Sequence, residues 1–125
     1  MKDLNTEDGA RGWFYMDGKT PVIAVSRNQS EVHQRFTIAH ELGHYFLNHE
    51  QQPPDTQEQI QNATPFEVAA NRFASELLMP QQKAEVLLKK SHSQTAMARC
   101  FNVSDESMGF RLDNLGYEYD RECIF

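Results

Sequence analysis

Apolar residues fall into two regimes along this chain. Between Gly12 and Val25 they form two compact runs, Trp13-Phe14-Tyr15-Met16 and Val22-Ile23-Ala24-Val25, separated by Asp17-Gly18. β-prone runs flanking Asp-Gly predict a hairpin, and Pro21 heads the second run, where a missing N–H is tolerated. After Arg27-Asn28-Gln29-Ser30, which reads as a turn, the spacing becomes helical. Ser30 is the candidate N-cap of a helix over about residues 31–48, in which Phe36, Ile38, Ala39, Leu42, Tyr45 and Phe46 give wide apolar coverage. Such coverage predicts a central, largely buried helix. Thr64 as N-cap and Pro65 in the first helical position open a second helix to about Met79, ahead of Pro80. Its inward stripe is Glu67, Ala70, Asn71, Ala74, Leu77 and Leu78, and the two alanines leave room for a neighbouring helix. A third helix, about Gln81–Lys90, turns Val86, Leu87 and Leu88 to the core and ends on lysines that suit the dipole. Ser93–Phe101 and Ser104–Leu115 predict two short helices, with Asn102-Val103 turning between them and Gly116 closing the second.

The remaining stretches carry no such period. Residues 1–11 read as a flexible N-terminal segment, ahead of a single domain over residues 12–125. His49–Ala63, with Pro53-Pro54 and five glutamines, reads as an exposed connector without structure of its own. The partly apolar tail Tyr117–Phe125 is expected to dock back on the domain. The pattern as a whole predicts an α+β fold, a small antiparallel β-sheet (the hairpin) packed on a mainly helical domain.

Composition narrows the function classes. The chain has 125 residues, 39% hydrophobic and 24% charged, with a net charge of −6 and a pI near 5.3. That balance argues against a dominant contact with nucleic acid or an anionic membrane. No run reaches transmembrane length, and Met1-Lys2-Asp3-Leu4 does not begin a signal peptide, so a cytoplasmic location is expected. Cys100 and Cys123 form no C-x-x-C pair, which excludes a zinc ribbon or thioredoxin-type motif and leaves two thiols expected to be free.

The chemistry concentrates in His40-Glu41-Leu42-Gly43-His44, an H-E-x-x-H pattern on the first helix. Positions i and i+4 lie about 40° apart around a helix and about 6 Å apart along it, so both imidazoles can meet one metal ion. Glu41 points to an adjacent side, suited to a water rather than to the metal. A catalytic zinc needs a third protein ligand. The pattern that takes a third histidine shortly downstream fails, because Leu47 and Glu50 stand where it needs glycine and histidine. His49 lies about half a turn of azimuth from His40, and His33 lies two turns before it. A carboxylate on another helix remains, and Glu67 is the best candidate. Thr64-Pro65-Phe66-Glu67 is equally a capping box, in which that carboxylate would return to the N-cap N–H. Asn71, one turn after Glu67, tips the balance, since its amide could support a ligating histidine.

Thr37-Ile38-Ala39-His40-Glu41-Leu42-Gly43-His44, followed by Glu67-Val68-Ala69-Ala70-Asn71-Arg72-Phe73-Ala74-Ser75-Glu76-Leu77-Leu78-Met79-Pro80, resembles the ImmA/IrrE family of metallopeptidases. Arg35-Phe36-Thr37 and the closing stretch Ala98–Ser104 with Arg111-Leu112 and Leu115-Gly116 resemble it too, so the likeness covers roughly residues 12–117. The resemblance implies a minimal gluzincin-like domain, Zn2+ held by His40, His44 and Glu67, and Glu41 as catalytic base. It implies a specific protein substrate, a helix-turn-helix repressor or antitoxin encoded nearby. Two departures stand out. Family members often have a helix before the hairpin, whereas Gly12 opens the hairpin here, so one wall of the cleft is expected to be missing or supplied by a partner. The family's second acidic residue before Ala-Asn is Ala69, which favours Glu67 as the ligand.

The oxyanion donor is left open among Tyr45, His33, Arg35, His92 and Tyr117. Gly43, between the histidines, is expected to keep the helix surface low where another element passes. Two other readings compete with a zinc endopeptidase. One is a DNA-binding regulator using Ser93–Leu115, disfavoured because Ser104–Leu115 sets Asp105, Glu106 and Asp113 against a single Arg111. The other, and stronger, is a zinc-containing toxin or interaction module that binds a regulator without cleaving it.

Overall fold

The structure is a computed structural model that describes residues 2–4, 10–47, 55–56, 64–90 and 93–119. The chain divides into two compact units, Met1–Ala74 and Ser75–Phe125.

The first unit is built on a four-stranded sheet of β1 (Lys2–Leu4), β2 (Ala10–Asp17), β3 (Thr20–Ser26) and β4 (Asp55–Thr56), in the order β1-β3-β2-β4. The expected hairpin is present: β2 and β3 pair antiparallel, with Trp13 opposite Ala24, Tyr15 opposite Val22 and Asp17 opposite Thr20. Gly18 has a φ of 64°, the left-handed conformation the tight turn needs and a side chain resists. Two additions go beyond the hairpin. β1 runs parallel to β3, with Lys2 opposite Ala24 and Leu4 opposite Ser26, so the sheet is mixed rather than antiparallel throughout. β4 pairs with β2 at Ala10 and Gly12 across a register shift, so the stretch expected to be a structureless connector contributes two ladder residues. Strands of three and two residues hold too few positions to show a period, which is why pattern alone misses them. The remainder of that connector, residues 48–54 and 57–63, lies outside the described residues, as do residues 120–125 of the tail.

Helix α1 (Glu31–Phe46) follows the hairpin and packs on β2 and β3. The Ser30 hydroxyl accepts from the His33 N–H, the N-cap expected of it. The burial of α1 departs from expectation. Thr37, Ala39, His40, Glu41, Gly43 and His44 are its buried positions, whereas Phe46 is 60% exposed. The face turned inward is the one that carries the chemistry. Helix α2 (Pro65–Leu78) begins in this unit and continues into the next. Glu67, Ala70 and Ala74 are its buried residues, and Leu77, expected on the same stripe, is exposed.

The second unit contains α3 (Gln81–Lys90), α4 (Gln94–Phe101) and α5 (Asp105–Leu115). Ser93 caps α4 and Ser104 caps α5, each accepting from the N–H three residues on. Asn102 and Gly116 end the two helices in left-handed conformations, at φ 56° and 77°. Met79, Met97, Phe101, Met108 and Leu112 anchor an apolar core, with Leu87 and Leu88 packed against it. Val86 does not join them; it is 52% exposed, because Ala84 takes the innermost position on α3. Buried Arg111 donates from Nε to the Met79 carbonyl at 3.1 Å, so its guanidinium serves the core. Among the described residues, no helix is long and apolar enough to cross a membrane.

Candidate metal centre

α1 and α2 bring three ligand-bearing side chains to one point. Nε2 of His40 lies 3.2 Å from Nε2 of His44 and 2.8 Å from Glu67 Oε2, and His44 Nε2 lies 3.2 Å from Glu67 Oε1. All three residues are buried. The two imidazoles stand nearly perpendicular, at 89°, which lets their Nε2 atoms converge without stacking the rings. His40 Nδ1 is 2.8 Å from Asn71 Oδ1. That carbonyl oxygen accepts, so Nδ1 carries the hydrogen and the Nε2 lone pair faces His44 and Glu67.

This donor set fits a metal ion. Three lone-pair donors crowded together inside the fold repel one another with little screening, and a divalent cation between them turns that repulsion into attraction. The two Nε2 atoms, 3.2 Å apart, are separated by close to the edge of about 3.3 Å expected of a tetrahedron with ligand distances of about 2.0–2.1 Å, and one Glu67 oxygen faces each of them.

Local sequence explains how each ligand arrives. His40 and His44 share the face of α1 set by their four-residue spacing. Glu67 sits in the first turn of α2, where the Thr64 hydroxyl accepts from the Glu67 N–H at 3.3 Å. The Thr64 half of the capping box therefore forms, while the carboxylate lies against the histidines. Gly43 shows why the helices come so close. A Cβ built there would stand 3.1 Å from Ala70 Cα, 3.1 Å from Phe73 Cβ and 3.2 Å from the Ala70 carbonyl oxygen. α1 and α2 are thus in backbone contact at the position between the histidines, the close passage expected of Gly43.

Glu41 is 1% exposed and lies on the side of α1 that faces Gly12 of β2. The candidate oxyanion donors are dispersed. Tyr45 lies edge-on to Phe14 and Phe46, at ring separations of 5.6 and 5.1 Å. His33 is exposed and Arg35 half-buried on the first turns of α1. Tyr117, in the second unit, donates to Glu85 and accepts from Gln81, and the Glu85 carboxylate raises its pKa above the usual tyrosine value. His49 and His92 lie outside the described residues, as does Cys123, while Cys100 is exposed with a free thiol.

Sequence reasoning misses two buried polar residues beside the site. Gln29, read only as part of a turn, and Thr37, read only as part of a resemblance, hydrogen-bond to each other beneath Gly12. The available signal is the spacing of Thr37, one helical turn before Glu41 on the same face.

Comparison with known proteins agrees with this geometry. The profile of peptidase family M78, described as the IrrE N-terminal-like domain, matches residues 2–113. The chain is 30% identical to the metallopeptidase ImmA of Bacillus subtilis (strain 168) over 114 residues, which is 86% of this chain and 65% of ImmA. It is 33% identical to an uncharacterized immunity region protein 2 of Bacillus phage phi105 over 70 residues, which is 55% of this chain and 44% of the phage protein. The chain thus spans slightly less than two thirds of the first of these relatives and under half of the second.

Proposed function

The chain belongs to the IrrE N-terminal-like family of M78 peptidases, and from that premise we propose that it is a zinc-dependent endopeptidase. The observation that carries the reading is the convergence of His40, His44 and Glu67, with His40 oriented by Asn71. Two imidazoles and a carboxylate suit zinc, and three protein ligands leave a fourth position open, as catalytic rather than structural zinc sites do. A bound zinc ion would supply Lewis-acid polarisation of the scissile carbonyl and acidify the attacking water.

The rest of the work falls to the chain's own side chains. Asn71 holds His40 in the tautomer that presents Nε2 to the centre. Glu41, buried on α1 next in sequence to His40, accepts the proton of the attacking water and passes it to the leaving amine. The tight passage at Gly43 keeps the α2 ligand within reach of the α1 pair. The substrate proposed, on the family resemblance alone, is one cytoplasmic protein, a helix-turn-helix repressor or antitoxin encoded nearby.

The test is direct. Purified chain should carry about one zinc, and the product of the adjacent open reading frame should be cut at a defined bond when zinc is present. Glu41→Gln should keep the zinc and lower the cleavage rate by about 10²–10⁴-fold. Chain purified without zinc, or His44→Ala protein that retains it, overturns the ligand assignment. Wild-type protein that binds the partner and never cuts it leaves the interaction-module reading standing in place of the protease.

A further inference from the structure

We infer that Gly12 and Thr37 position the Glu41 carboxylate: Thr37 is an anchored spacer on α1, and Gly12 is the bare strand position that leaves room for both side chains. This rests on the reading of Glu41 as the general base and names what holds it.

Gly12 is the third residue of β2, at the register shift with β4 and away from any turn that would need a left-handed residue. Its reason is contact. A Cβ there would stand 2.4 Å from Thr37 Cγ2, 3.1 Å from Glu41 Oε2 and 3.2 Å from Glu41 Cγ. The strand therefore packs its bare Cα against two side chains that follow one another, one helical turn apart, on the same face of α1. Any larger residue would push directly on the Glu41 carboxylate.

Thr37 is held in turn. Gln29 Nε2 donates to the Arg11 carbonyl at 3.1 Å and to the Ser26 carbonyl at 3.2 Å. Both amide hydrogens are thereby committed, and Oε1 is left to accept from Thr37 Oγ1 at 3.2 Å. Gln29 and Thr37 are buried, so these bonds do not compete with bulk water. The amide ties α1 to the residue just before Gly12 and to the end of β3. Strand and helix are thus locked in register at the point where Glu41 emerges. A β-branched residue suits the spacer because its χ1 is stiff, and its methyl faces Gly12 while its hydroxyl faces Gln29. A general base held this way needs little reorganisation before proton transfer.

The experiment separates positioning from mere packing. Gly12→Ala alone meets the Thr37 methyl and could fail to fold, so it is made in a Thr37→Ser background, which removes Cγ2 and keeps the hydroxyl. Wild type, Thr37→Ser, Gly12→Ala/Thr37→Ser, Thr37→Val and Glu41→Gln are each loaded with cobalt(II). Cobalt affinity, Tm and the pH midpoint of the visible spectrum, which follows ionisation beside the metal, are then measured. Cobalt affinity should stay within about threefold of wild type in all five, since no ligand is altered. The double variant should shift the pH midpoint from that of Thr37→Ser by about 0.5 unit or more, in the direction that Glu41→Gln shifts it. Thr37→Val, which keeps the methyl and loses the hydroxyl, should fall between wild type and the double variant. A double variant whose Tm falls while its midpoint coincides with Thr37→Ser overturns the inference and leaves the protease reading intact. Wild-type protein that binds no cobalt, or a Glu41→Gln midpoint equal to wild type, overturns the general-base reading and this inference with it.

Discussion

The two compact units differ in what they bury. In Met1–Ala74 the interior beside α1 holds Gln29, Thr37, His40, Glu41, His44 and Glu67. In Ser75–Phe125 it holds methionines, alanines, Phe101 and Leu112, with Arg111 the one buried charged residue among those described. An apolar core of the second kind gains stability from area removed from water and tolerates changes of equal volume. A buried polar set of the first kind is favourable only while each group is satisfied, and here the proposed satisfier is a metal.

That contrast can be broken in several ways, starting with the largest effect. Removing zinc with a chelator should cost the first unit about 4 kcal/mol when free zinc stands about a thousandfold above its Kd. Hydrogen exchange read by mass spectrometry should show α1 amides exchanging faster while those of α5 do not change. Equal loosening of α5 would mean the two interiors are not independent. In the opposite direction, Met108→Ala removes a fully buried side chain from the second unit and should cost about 3 kcal/mol in urea denaturation. Zinc content should remain that of wild type.

Gly43→Ala sharpens the contrast, because it adds one methyl at the contact between the ligand-bearing helices. Overpacking should cost about 1–3 kcal/mol, partly offset by the roughly 1 kcal/mol that alanine gains over glycine in a helix. The informative readout is zinc affinity, which should fall about tenfold in competition with a chelating dye, since the added methyl pushes on Ala70 and Phe73, the residues between Glu67 and the end of the unit.

The smallest effect is in the second unit. Hydrogen bonding to Glu85 raises the Tyr117 pKa above 10.0 in the folded chain. A raised folded pKa contributes stability that is fully present below the unfolded pKa and is lost as pH rises through the folded one. The urea midpoint of Tyr117→Phe should therefore lie slightly below wild type at about pH 8, and the gap should close as the pH rises through the raised tyrosine pKa.

Much of this arrangement is legible in the residues. Asp17-Gly18 marks the hairpin, Ser30, Ser93 and Ser104 mark helix starts, and Gly116 marks an end, because each of these is decided by local chemistry. The pair His40 and His44 is legible for the same reason. Glu67 is harder, since capping and ligation ask for the same residue at the same spacing, and the structure shows Thr64 bonding its N–H while its carboxylate meets the histidines. What stays hidden depends on partners distant in the chain. β1 and β4 exist through their pairing with β3 and β2. The inward face of α1 is hidden from a pattern of hydrophobic positions, because this helix buries His40 and Glu41 and leaves Phe46 outside. The role of Gly12 is invisible without knowing which helix crosses it.

The meeting of His40, His44 and Glu67 from α1 and α2 also has a topological side. His40 and His44 are neighbours as soon as one helical turn forms, but Glu67 must be brought back across the 22 residues that separate it from His44. Closing a flexible loop costs only about 0.6 kcal/mol for each doubling of its length. The connector can therefore change in length on either side of β4 at small entropic cost, while the pairing of β4 with β2 fixes a point within it. The four-residue intervals from His40 to His44 and from Glu67 to Asn71 have no such latitude, because each is set by the pitch of a helix.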